Sequence, residues 1–502
     1  MTSYLFTSHL DFEYDGAAET LFSDLTVQLS SGWTGIVGAN GSGKTTLLRL
    51  FTGELKPDSG SVGRSGQAVL CRQDIQSPPG NMNELFSSHS IRAFRLLERL
   101  SLNAEMAERW NTLSLGERKK IQIAAALFAE PDILCIDEPT NHLDASGRVL
   151  LEAELRSFRG IGVLVSHDRE LLDRLCGQCL FLENGNAVLR SGNFSTGREQ
   201  GKIELENRLD SIQQMKRKLR RDKLELQRRR EKEQQARNKD CKRKLDRHDH
   251  DNKGKIDAAR ISGRDRKQGD LAKLQRSTVE RTEAGLDMLG KAKIHEFGLK
   301  IPYGEYSSKN ILLDMPSGCL PLGAARLEYP ALSIGSHDRI ALTGDNGAGK
   351  STLLRRMLGE LKLNQNEYLY MPQELNDVMT SKIHRELQTM PRDAYSKVMN
   401  VVASLGSRPE RVLDSTRCSP GEWRKLFFGL GVLRKVHLIV LDEPTNHLDL
   451  PSIECLEAAL AECSSSLLLI SHDMIFLKKL CRIHWEISPD ESKCNLLRKS
   501  FF

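Results

Sequence analysis

The feature that most constrains this 502-residue chain is a long internal repeat. The segment GANGSGKTTLLRL at Gly38–Leu50 returns as GDNGAGKSTLLRR at Gly344–Arg356. A second segment, IDEPTNHLD at Ile136–Asp144, returns as LDEPTNHLD at Leu441–Asp449, at nearly the same distance from the first. Two separate motifs that recur in the same order and at the same spacing predict two copies of one domain.

Each copy of the repeat is long enough to form a domain of its own. Single hydrophobic cores rarely grow beyond roughly 250–300 residues, so a chain of this length is expected to divide into two or three domains. We predict a first domain over residues 1–196, a connecting segment over 197–290 and a second domain over 291–502. Because strand-like apolar runs lead into helical patterns in both copies, we expect the α/β fold class.

Both copies contain the glycine-rich pattern GxxxxGK[ST] between a strand-like run and a helical one. TGIVG leads into the first and RIALTG into the second, which is the context that a phosphate-binding loop requires. Glycines allow backbone N–H groups to wrap around phosphates at a helix N-terminus. Lys44 and Lys350 are expected to neutralise the β- and γ-phosphates, while Thr45 and Ser351 offer hydroxyl groups to Mg²⁺. The candidate ATP-binding residues in these loops are Gly38, Asn40, Gly41, Gly43, Lys44, Thr45, Thr46, Gly344, Asn346, Gly347, Gly349, Lys350, Ser351 and Thr352.

Two adjacent acidic residues follow an apolar strand further along each copy. They are Asp137 and Glu138 after DILCI, and Asp442 and Glu443 after HLIVL. Adjacent side chains of a strand point in opposite directions, so the two residues of each pair can serve different purposes. We expect Asp137 and Asp442 to serve the Mg²⁺ ion, and Glu138 and Glu443 to polarise the water that attacks ATP.

These motifs together give the chain a resemblance to the ATP-binding cassette superfamily. The chain resembles in particular the ABC-F branch, soluble twin-cassette proteins that act on the ribosome, over nearly its whole length. The resemblance implies two ABC-type nucleotide-binding domains that sandwich ATP between the cassettes of one chain, with the chain acting as a monomer. It also implies an ATPase that uses ATP and Mg²⁺ and whose hydrolysis step drives a conformational switch.

The resemblance assigns further residues to the ATP sites. LSLGE and CSPGE match the signature loop that closes over ATP held by the opposite cassette, through Ser114, Gly116, Glu117, Ser419, Gly421 and Glu422. Gln73 and Gln373 match the Q-loop and are expected beside Mg²⁺. Asp144 and Asp449 match the D-loop. His167 and His472 match the switch histidine and are expected to be catalytic.

Aromatic residues ahead of each phosphate-binding loop are candidates to stack on adenine. Tyr14 lies 24 positions before Gly38 in the first cassette, and it could equally be a core aromatic residue. In the second cassette, Tyr303 and Tyr306 are both candidates, and the sequence does not choose between them.

The signature loops depart from the superfamily pattern at one position. Leu115 and Pro420 stand where glycine is usual. Proline lacks a backbone N–H and has a fixed φ, so we hypothesise that the site that pairs the first phosphate-binding loop with Pro420 hydrolyses ATP more slowly. Only 40 residues separate Gln73 from Ser114, so the inserted arm of some translation-regulating ABC-F proteins is absent. The short-armed members include both housekeeping factors and antibiotic-resistance proteins.

The segment between the two copies is strongly basic. Residues 201–280 contain 26 Lys and Arg against 15 Asp and Glu, a local net charge of +11 in a chain whose total is +6. Leu205, Ile212, Leu219 and Leu226 lie seven residues apart, which is typical of a coiled-coil seam. We predict a helical hairpin with a first helix of about 45 residues and a basic tip over about 237–269, where Gly254, Gly263 and Gly269 interrupt the helical spacing. A solvated charged spacer is the alternative, but a spacer needs no seam.

A basic helical hairpin suits a polyanionic partner. Excess positive charge on a narrow element predicts salt-sensitive binding to a phosphate backbone, and the scarcity of aromatic residues favours contact with RNA backbone over base stacking. The resemblance implies the partner: the ribosome at its tRNA exit site, with the hairpin on rRNA and its tip toward peptidyl-tRNA. The purpose is then either translation regulation or ribosome protection against an antibiotic.

Two other protein classes remain open. The ATPase of a membrane transporter, with transmembrane subunits encoded separately, explains both cassettes but not the basic segment. A DNA-repair ATPase of the same superfamily generally carries zinc-binding cysteine quartets, whereas this chain has the single CxxC pair of Cys176 and Cys179. No stretch approaches the roughly 20 apolar residues that span a bilayer, and the first residues show no signal-peptide pattern, so we expect a cytoplasmic protein without a membrane partner.

Overall fold

The chain divides into two compact units. One comprises Met1–Gly197 together with Glu296–Phe502 and contains both copies of the repeat, and the other is Arg198–His295. The computed structural model describes residues 3–16, 20–141, 143–183, 186–239, 264–288, 310–323, 325–407, 418–434, 436–446, 448–489 and 494–502. The predicted domain boundaries at 196 and 290 remain a prediction.

The first cassette combines a parallel sheet with a small antiparallel one. Its strands are β1 (Leu5–Phe12), β2 (Phe22–Leu29), β3 (Gly32–Gly38), β4 (Ser59–Arg64), β5 (Ala68–Cys71), β6 (Ile133–Asp137), β7 (Ile161–Val165), β8 (Gln178–Glu183) and β9 (Asn186–Ser191). Its helices are α1 (Lys44–Thr52), α2 (Met82–Ser87), α3 (Ile91–Arg99), α4 (Leu115–Phe128), α5 (Ala145–Ser157) and α6 (Arg169–Leu175), with 3-10 turns at Ala104–Ala107 and Trp110–Thr112.

Strand order explains where the motifs of the first cassette meet. The six-stranded sheet runs β5-β6-β7-β3-β8-β9, with β9 antiparallel and the other neighbours parallel. Strands β6 and β7 are buried at every position, as expected for strands covered by helices on both faces. The phosphate-binding loop, the two acidic residues and the switch histidine follow β3, β6 and β7, so all three lie at the carboxyl edge of the sheet, where ligands of such sheets bind.

In its described residues the second unit holds two helices, α7 (Phe194–Lys239), which starts within the first unit, and α8 (Arg264–Met288). Within this unit the helices run antiparallel: Lys223 Nζ lies 2.7 Å from Glu283 Oε1, and Arg229, further along α7, donates a 3.2 Å hydrogen bond to the carbonyl of Leu271, which comes earlier in α8. Leu226 and Val279 are buried between them.

The connecting segment differs in detail from its prediction. The length of α7 agrees, with 46 residues where about 45 were expected, but other details do not. We predicted that Gly269 interrupts the helical spacing, but this residue lies inside α8. A single glycine costs a helix only about 1 kcal/mol, so the helix continues through it. Leu205, the first residue of the predicted seam, is 45% exposed. The rest of the predicted tip, with Gly254 and Gly263, lies outside the described residues.

The second cassette repeats the plan of the first. Its strands are β10 (Ile311–Met315), β11 (Gly318–Leu322), β12 (Ala325–Tyr329), β13 (Leu332–Gly335), β14 (Arg339–Gly344), β15 (Tyr368–Met371), β16 (Leu438–Asp442), β17 (Ser466–Ile470), β18 (Ile483–Pro489) and β19 (Cys494–Phe501). Its helices are α9 (Lys350–Gly359), α10 (Asp377–Thr389), α11 (Arg392–Ser404), α12 (Pro420–Val432), α13 (Leu450–Glu462) and α14 (Met474–Leu480). The order β18-β14-β17-β16-β15 places the second set of motifs at the equivalent sheet edge, and the α/β prediction is confirmed.

The two cassettes share a hydrophobic core. One cluster of buried side chains joins Val37 and Leu164 of the first cassette to Ile453 and Leu456 of the second. The contact runs between β3 of one cassette and α13 of the other. Among the described residues, four further clusters lie within single cassettes, including one under β1 and α1 and one under β14 and α9. The described part of the chain holds no helix that is both long and apolar enough to cross a membrane.

Candidate active site

Both phosphate-binding loops adopt the same backbone geometry. Gly43 and Gly349 precede α1 and α9 with φ of 92° and 106°, a region that favours glycine. A Cβ atom on Gly43 would lie 2.6 Å from the ring of Phe22, so a larger residue is also excluded by space. The loops therefore present backbone N–H groups at a helix N-terminus, which is an anion-binding arrangement.

The two loop lysines lie at the centre of these loops. Lys44 Nζ donates hydrogen bonds to the carbonyls of Gly38 (2.8 Å) and Ala39 (3.0 Å). Lys350 Nζ donates to Gly344 (2.5 Å) and Asp345 (3.2 Å) in the same way. Burial lowers the pKa of both amines, and nearby carboxylates oppose that shift. Each ammonium group is thus held inside its loop, where phosphate oxygens would bind.

The paired acidic residues end β6 and β16 as predicted, and the second of each pair is strained. Glu138 and Glu443 have φ of 49° and 50°. A non-glycine residue in this region costs of order 1–3 kcal/mol and persists only where its surroundings hold it there. Each is 4% exposed. This turn at the strand end aims both carboxylates toward the switch histidines.

Each switch histidine lies beside the glutamate of its own cassette. His167 Nε2 is 3.3 Å from Glu138 Oε1, and His472 Nε2 is 3.4 Å from Glu443 Oε1. The backbone N–H groups of these histidines donate to the other carboxylate oxygen at 3.2 and 3.4 Å. The contacts to Oε1 lack hydrogen-bond geometry, so among the described residues each Oε1 is a buried acceptor without a donor. A water molecule could supply that donor.

Burial raises the pKa of these glutamates toward neutrality. The pKa of Glu138 is about 8, since burial and then Asp137 raise it, while that of Glu443 is about 7 because Lys350 and Arg148 offset part of the burial effect. Burial also lowers the pKa of His472 to about 3, with Lys350 and Arg148 adding to the shift. A carboxyl group whose pKa lies near neutrality can exchange a proton near neutral pH, and the catalytic role of these glutamates stays a prediction.

Residues of the first cassette that are expected at Mg²⁺ lie side by side. Thr45 Oγ1 donates a 2.7 Å hydrogen bond to Asp137 Oδ2, and burial raises the pKa of Asp137. Gln73 borders the same cavity. Hydroxyl and carboxylate oxygens are the ligands that Mg²⁺ prefers, so this donor set fits the ion. In the second cassette, Gln373 lies on the loop after β15, and Ser351 is in the first turn of α9.

One cavity of about 560 Å³ is lined by both cassettes. The first cassette contributes its phosphate-binding loop, the acidic pair and the switch histidine, and the second contributes its signature loop. The predicted residues that line it are Tyr14, Asn40, Gly41, Gly43, Lys44, Thr45, Thr46, Gln73, Asp137, Glu138, His167, Ser419 and Gly421. The structure therefore brings together residues that lie up to about 400 positions apart, in the composite arrangement expected from the resemblance.

The signature loops are held by capping boxes. Ser114 and Glu117 satisfy each other's backbone N–H groups at the start of α4, and Ser419 and Glu422 do so at the start of α12. The two glutamates therefore fix the loop serines within their own cassettes. Pro420 is the first residue of α12, a position where a missing N–H costs a helix nothing. Pro420 lines the composite cavity, and because proline has no backbone N–H it cannot donate a hydrogen bond into that cavity.

The D-loop aspartates cap the next helix in each cassette. Asp144 accepts from Gly147 N at the start of α5, and Asp449 accepts from Ser452 N at the start of α13. Asp449 also accepts a 2.5 Å hydrogen bond from the backbone N–H of Asn40 in the opposite cassette. This bond ties the D-loop of the second cassette to the phosphate-binding loop of the first.

Tyr14 borders the composite cavity and is not a core residue. It is 43% exposed, its ring packs edge-on against Phe12 at 5.0 Å, and its hydroxyl lies 3.0 Å from Thr46 Oγ1. The exposed ring therefore lies beside the phosphate-binding loop, and its stacking on adenine stays a prediction. Tyr303 and Tyr306, the candidates in the second cassette, lie outside the described residues.

Sequence reasoning missed four buried or half-buried cations near the sites. Lys119 and Arg424 occupy equivalent positions of α4 and α12, and each donates to the backbone carbonyl of the aspartate that ends β6 or β16, at 3.1 and 3.0 Å. Arg148 and Arg169 of the first cassette reach residues of the second. Aligning the two repeats would have drawn attention to the arginines, because Ile453 and Met474 replace them in the second cassette.

Comparison with known proteins agrees with this geometry. The ABC transporter family matches residues 22–141 and 327–446. The ribosome protection protein VmlR of Bacillus subtilis (strain 168) is 28% identical over 491 residues, which cover 93% of this chain and 84% of that protein. The probable ATP-binding protein YheS of Escherichia coli (strain K12) is 28% identical over 91% of this chain and 75% of its own length. ABC transporter F family member 4 of Arabidopsis thaliana is 25% identical, over 94% and 71%.

Solved structures share the fold. The RNase-L inhibitor superposes with a TM-score of 0.63 at 17% identity and covers 98% of this chain and 90% of that one. The archaeal ribosome recycling factor aABCE1, in complex with the stalk protein aP1, gives a TM-score of 0.61 at 18% identity over 97% and 89%. Two matched cassettes, together with sequence relatives that include an ABC transporter F family member, identify this chain as a twin-cassette ATPase of the ATP-binding cassette type that is similar to ABC-F proteins over most of its length.

Proposed function

We propose that this ABC-F ATPase binds two ATP molecules between its cassettes and acts on the ribosome, with Glu138 and Glu443 as the residues that polarise the attacking water. The observation that carries the ATPase part is the cavity in which Lys44 and Glu138 of one cassette face Ser419 of the other. An ATP molecule in that cavity touches both cassettes, so its binding favours the closed arrangement and its hydrolysis removes that preference.

The residues of each phosphate-binding loop hold the nucleotide. Lys44 and Lys350 leave their loop carbonyls to contact the β- and γ-phosphates, and the backbone N–H groups of the glycine-rich turns surround the remaining oxygens. Mg²⁺ would be held in the first cassette by Thr45, Asp137 and Gln73. The corresponding residues of the second cassette are Ser351, Asp442 and Gln373. When bound, this ion neutralises charge on the β- and γ-phosphates. Tyr14 stacks on adenine in the first cassette.

The strained glutamates carry out the proton-accepting part of the reaction. Glu138 Oε1 is a buried acceptor in the cavity, so it orients a water molecule and takes up its proton as the water attacks the γ-phosphorus. His167, 3.3 Å away, steadies this arrangement. The same roles fall to Glu443 and His472 in the second cassette. The geometry requires no covalent intermediate, which agrees with catalysis by positioning and electrostatics.

The basic hairpin provides the contact with RNA. Along the described part of α7, Lys216, Arg217, Lys218, Arg220 and Arg221 carry a dense run of positive charge on a helix that is largely exposed. VmlR, which this chain resembles over most of its length, is by name a ribosome protection protein. We infer binding at the tRNA exit site, with the hairpin on rRNA and its tip toward peptidyl-tRNA. The switch then serves either translation regulation or protection of the ribosome from an antibiotic.

A hydrolysis-deficient variant tests this function. The double variant Glu138→Gln, Glu443→Gln keeps the volume of both side chains but removes the proton acceptors. With ATP it should remain closed and co-sediment with ribosomes through a sucrose cushion, and the same variant with ADP is the control. Sedimentation free of ribosomes at low salt in both states would contradict the proposal. Recovery with membrane subunits instead would support the transporter alternative.

A charge-reduction variant tests the role of the hairpin. Changing Arg217, Lys218, Arg220 and Arg221 to Gln should weaken ribosome binding and reduce the slope of log affinity against log salt by about 1 for each phosphate that the variant no longer neutralises. A matched control neutralises four exposed cations on the surface of the second cassette, Lys382, Arg385, Arg392 and Lys397. Equal reductions in both variants would show that net charge, and not the hairpin, determines binding.

Growth assays separate the two purposes. If the chain protects ribosomes, its expression in a susceptible bacterium should raise resistance to one class of ribosome-targeting antibiotic, and shortening residues 240–263 should abolish this effect while ribosome binding persists. If it regulates translation, the same expression leaves resistance unchanged, and loss of the protein alters polysome profiles without any drug.

A further inference from the structure

Two arginines of the first cassette converge on one loop of the second. We call residues 471–473, between β17 and α14, the second switch loop. Arg148, on α5, donates to the carbonyl of His472 at 3.3 Å. Arg169, the first residue of α6, donates to the carboxylate of Asp473 at 2.9 Å. Both contacts cross the cassette boundary, and both end on the loop that carries the switch histidine.

These cations are fixed by their surroundings. Arg169 is 8% exposed and also donates to Glu457 at 2.5 Å, and Glu457 is buried and accepts a second bond from Lys479 at 2.7 Å. Asp473 caps α14 by accepting from Phe476 N at 2.9 Å. Charge-assisted hydrogen bonds at these lengths are about twice as strong as neutral ones. The loop is therefore anchored on one side by its own helix and on the other by the opposite cassette.

The arrangement is not repeated in the other direction. The internal repeat aligns LDASGR with LDLPSI and SHDRE with SHDMI, so Ile453 stands for Arg148 and Met474 for Arg169. Neither of these side chains can donate a hydrogen bond. The acceptors are retained, since Glu152 aligns with Glu457, but Glu152 binds Arg156 and Arg174 of its own cassette. The donors are present only in the direction from the first cassette to the second.

The loop held in this way has a direct connection to catalysis. His472 N donates to Glu443 Oε2 at 3.4 Å, and its ring lies 3.4 Å from Glu443 Oε1. A shift of the loop therefore moves the groups around the proposed water-polarising carboxylate. A displacement of about 1 Å in such groups can reduce a catalysed rate by roughly 100-fold. At the first site, the residues that align with these two arginines are apolar and supply no such bonds to the loop of His167.

We propose that Arg148 and Arg169 are positioning residues for ATP hydrolysis at the second site, the one that contains Lys350 and Glu443. From the first cassette they fix the loop of His472 and Asp473. Ile453 and Met474, the aligned residues of the second cassette, do not provide the same support to the first cassette. The inference rests on the proposed role of Glu443. Its consequence is that the second site is completed only when the cassettes are together. Arg148 also borders the cavity of the first site and pairs with Asp168 there, so the difference between the two sites rests on Arg169.

Single-site parents separate the two ATP sites. The parent Glu138→Gln leaves the second site active, and Glu443→Gln leaves the first. Arg169→Met, which installs the residue of the second cassette, is added to each parent, and hydrolysis is followed under single-turnover conditions. We expect a loss of roughly 10- to 100-fold in the Glu138→Gln parent, in the rate and not in the affinity for ATP, and a change within about twofold in the other. Equal losses in both parents would overturn the inference.

Two matched variants complete the design. Arg174→Met removes an exposed arginine of the same helix that pairs with Glu152 and Glu170 of the first cassette, and it should change neither rate by more than about twofold. Arg169→Lys keeps the charge but not the fork of donors and should recover part of the lost rate. Arg148 serves less well as the primary test because it also pairs with Asp168 beside His167.

Hydrogen–deuterium exchange tests the positioning without activity. In the otherwise unchanged chain, Arg169→Met should accelerate amide exchange in residues 471–476 and leave exchange in residues 438–442, the buried strand β16 of the same cassette, unchanged. Unaltered exchange at 471–476 would overturn the inference even if activity falls. If the parent Glu138→Gln itself hydrolyses no ATP, the proposed role of Glu443 fails, and the exchange measurement alone then decides whether the arginines position the loop.

Discussion

Replacing Glu457 by glutamine should strongly destabilise the paired cassettes, because this carboxylate is buried between them. Glu457 lies inside the interface, 1% exposed, and joins Arg169 of the first cassette to Lys479 of its own. Glutamine preserves its size but removes the charge that compensates a nearly buried guanidinium group. Breaking one partner of a buried ion pair costs about 3–5 kcal/mol, and because Asp473 still faces Arg169 we expect about 3 kcal/mol.

The internal repeat supplies the control. Glu152 is the equivalent residue of the first cassette, and it pairs with Arg156 and Arg174, which are 60% and 54% exposed. Exposed pairs contribute about 0–1 kcal/mol, so Glu152→Gln should have little effect. The two variants make the same chemical change at equivalent positions of the fold, and they differ in whether the ion pair is buried between the cassettes.

Calorimetry without nucleotide measures the difference. A loss of about 3 kcal/mol corresponds to a fall of roughly 6–12 °C in Tm for a domain of cassette size, against at most about 2–4 °C for the control. Raising the salt to about 0.5 M should leave the Glu457→Gln effect in place, since buried pairs are weakly screened. Similar shifts for the two variants, or a Glu457→Gln effect that salt removes, would refute the reasoning.

Three further changes have defined outcomes. Tyr14→Ala should weaken ATP binding by about 1–3 kcal/mol, the value of one base–aromatic stack, whereas Tyr14→Phe should not, and equal losses in a fluorescent-nucleotide titration would contradict stacking. Exchanging Leu115 and Pro420 should transfer the slower hydrolysis that we hypothesise for the first site to the other site, and unchanged single-turnover rates would argue against a role for the proline. Gly35→Ala should cost about 1–3 kcal/mol in urea unfolding, because its Cβ would lie 2.8 Å from a methyl group of Leu172, and an unchanged midpoint would show that α6 can move.

The motifs that are expected to contact ATP could be located from the sequence because their chemistry fixes both residue type and spacing. A phosphate-binding loop needs glycines where φ is positive, as at Gly43, and an acidic pair needs a strand end, as at Asp137. The structure places them at one sheet edge as expected. The meeting of Ser419 with Lys44 across the cavity was expected only from the resemblance, since nothing local in either segment points to a partner far along the chain.

The buried cations could not be predicted in the same way. Lys119 lies in the run ERKKIQ, which looks like the solvated face of a helix, yet it is 1% exposed and bonded to two backbone carbonyls. Arg169 follows an aspartate and precedes a glutamate, which suggests local pairing, but its partners are about 290 and 300 residues away. Tertiary contacts determine the burial and the partners of both residues, and the residue pattern of a helix does not show which distant residues it will contact.

The core shared between β3 and α13 has a consequence for how the protein is made. Chains emerge at about 5–20 residues per second, and α13 follows β3 by more than 400 residues. The apolar face of the first cassette, with Val37 and Leu164, is therefore synthesised roughly 20 to 80 seconds before helix α13, which covers it. During that interval the nascent first cassette exposes an apolar surface of the kind that chaperones bind. The same surface favours misassembly with neighbouring nascent copies of the chain.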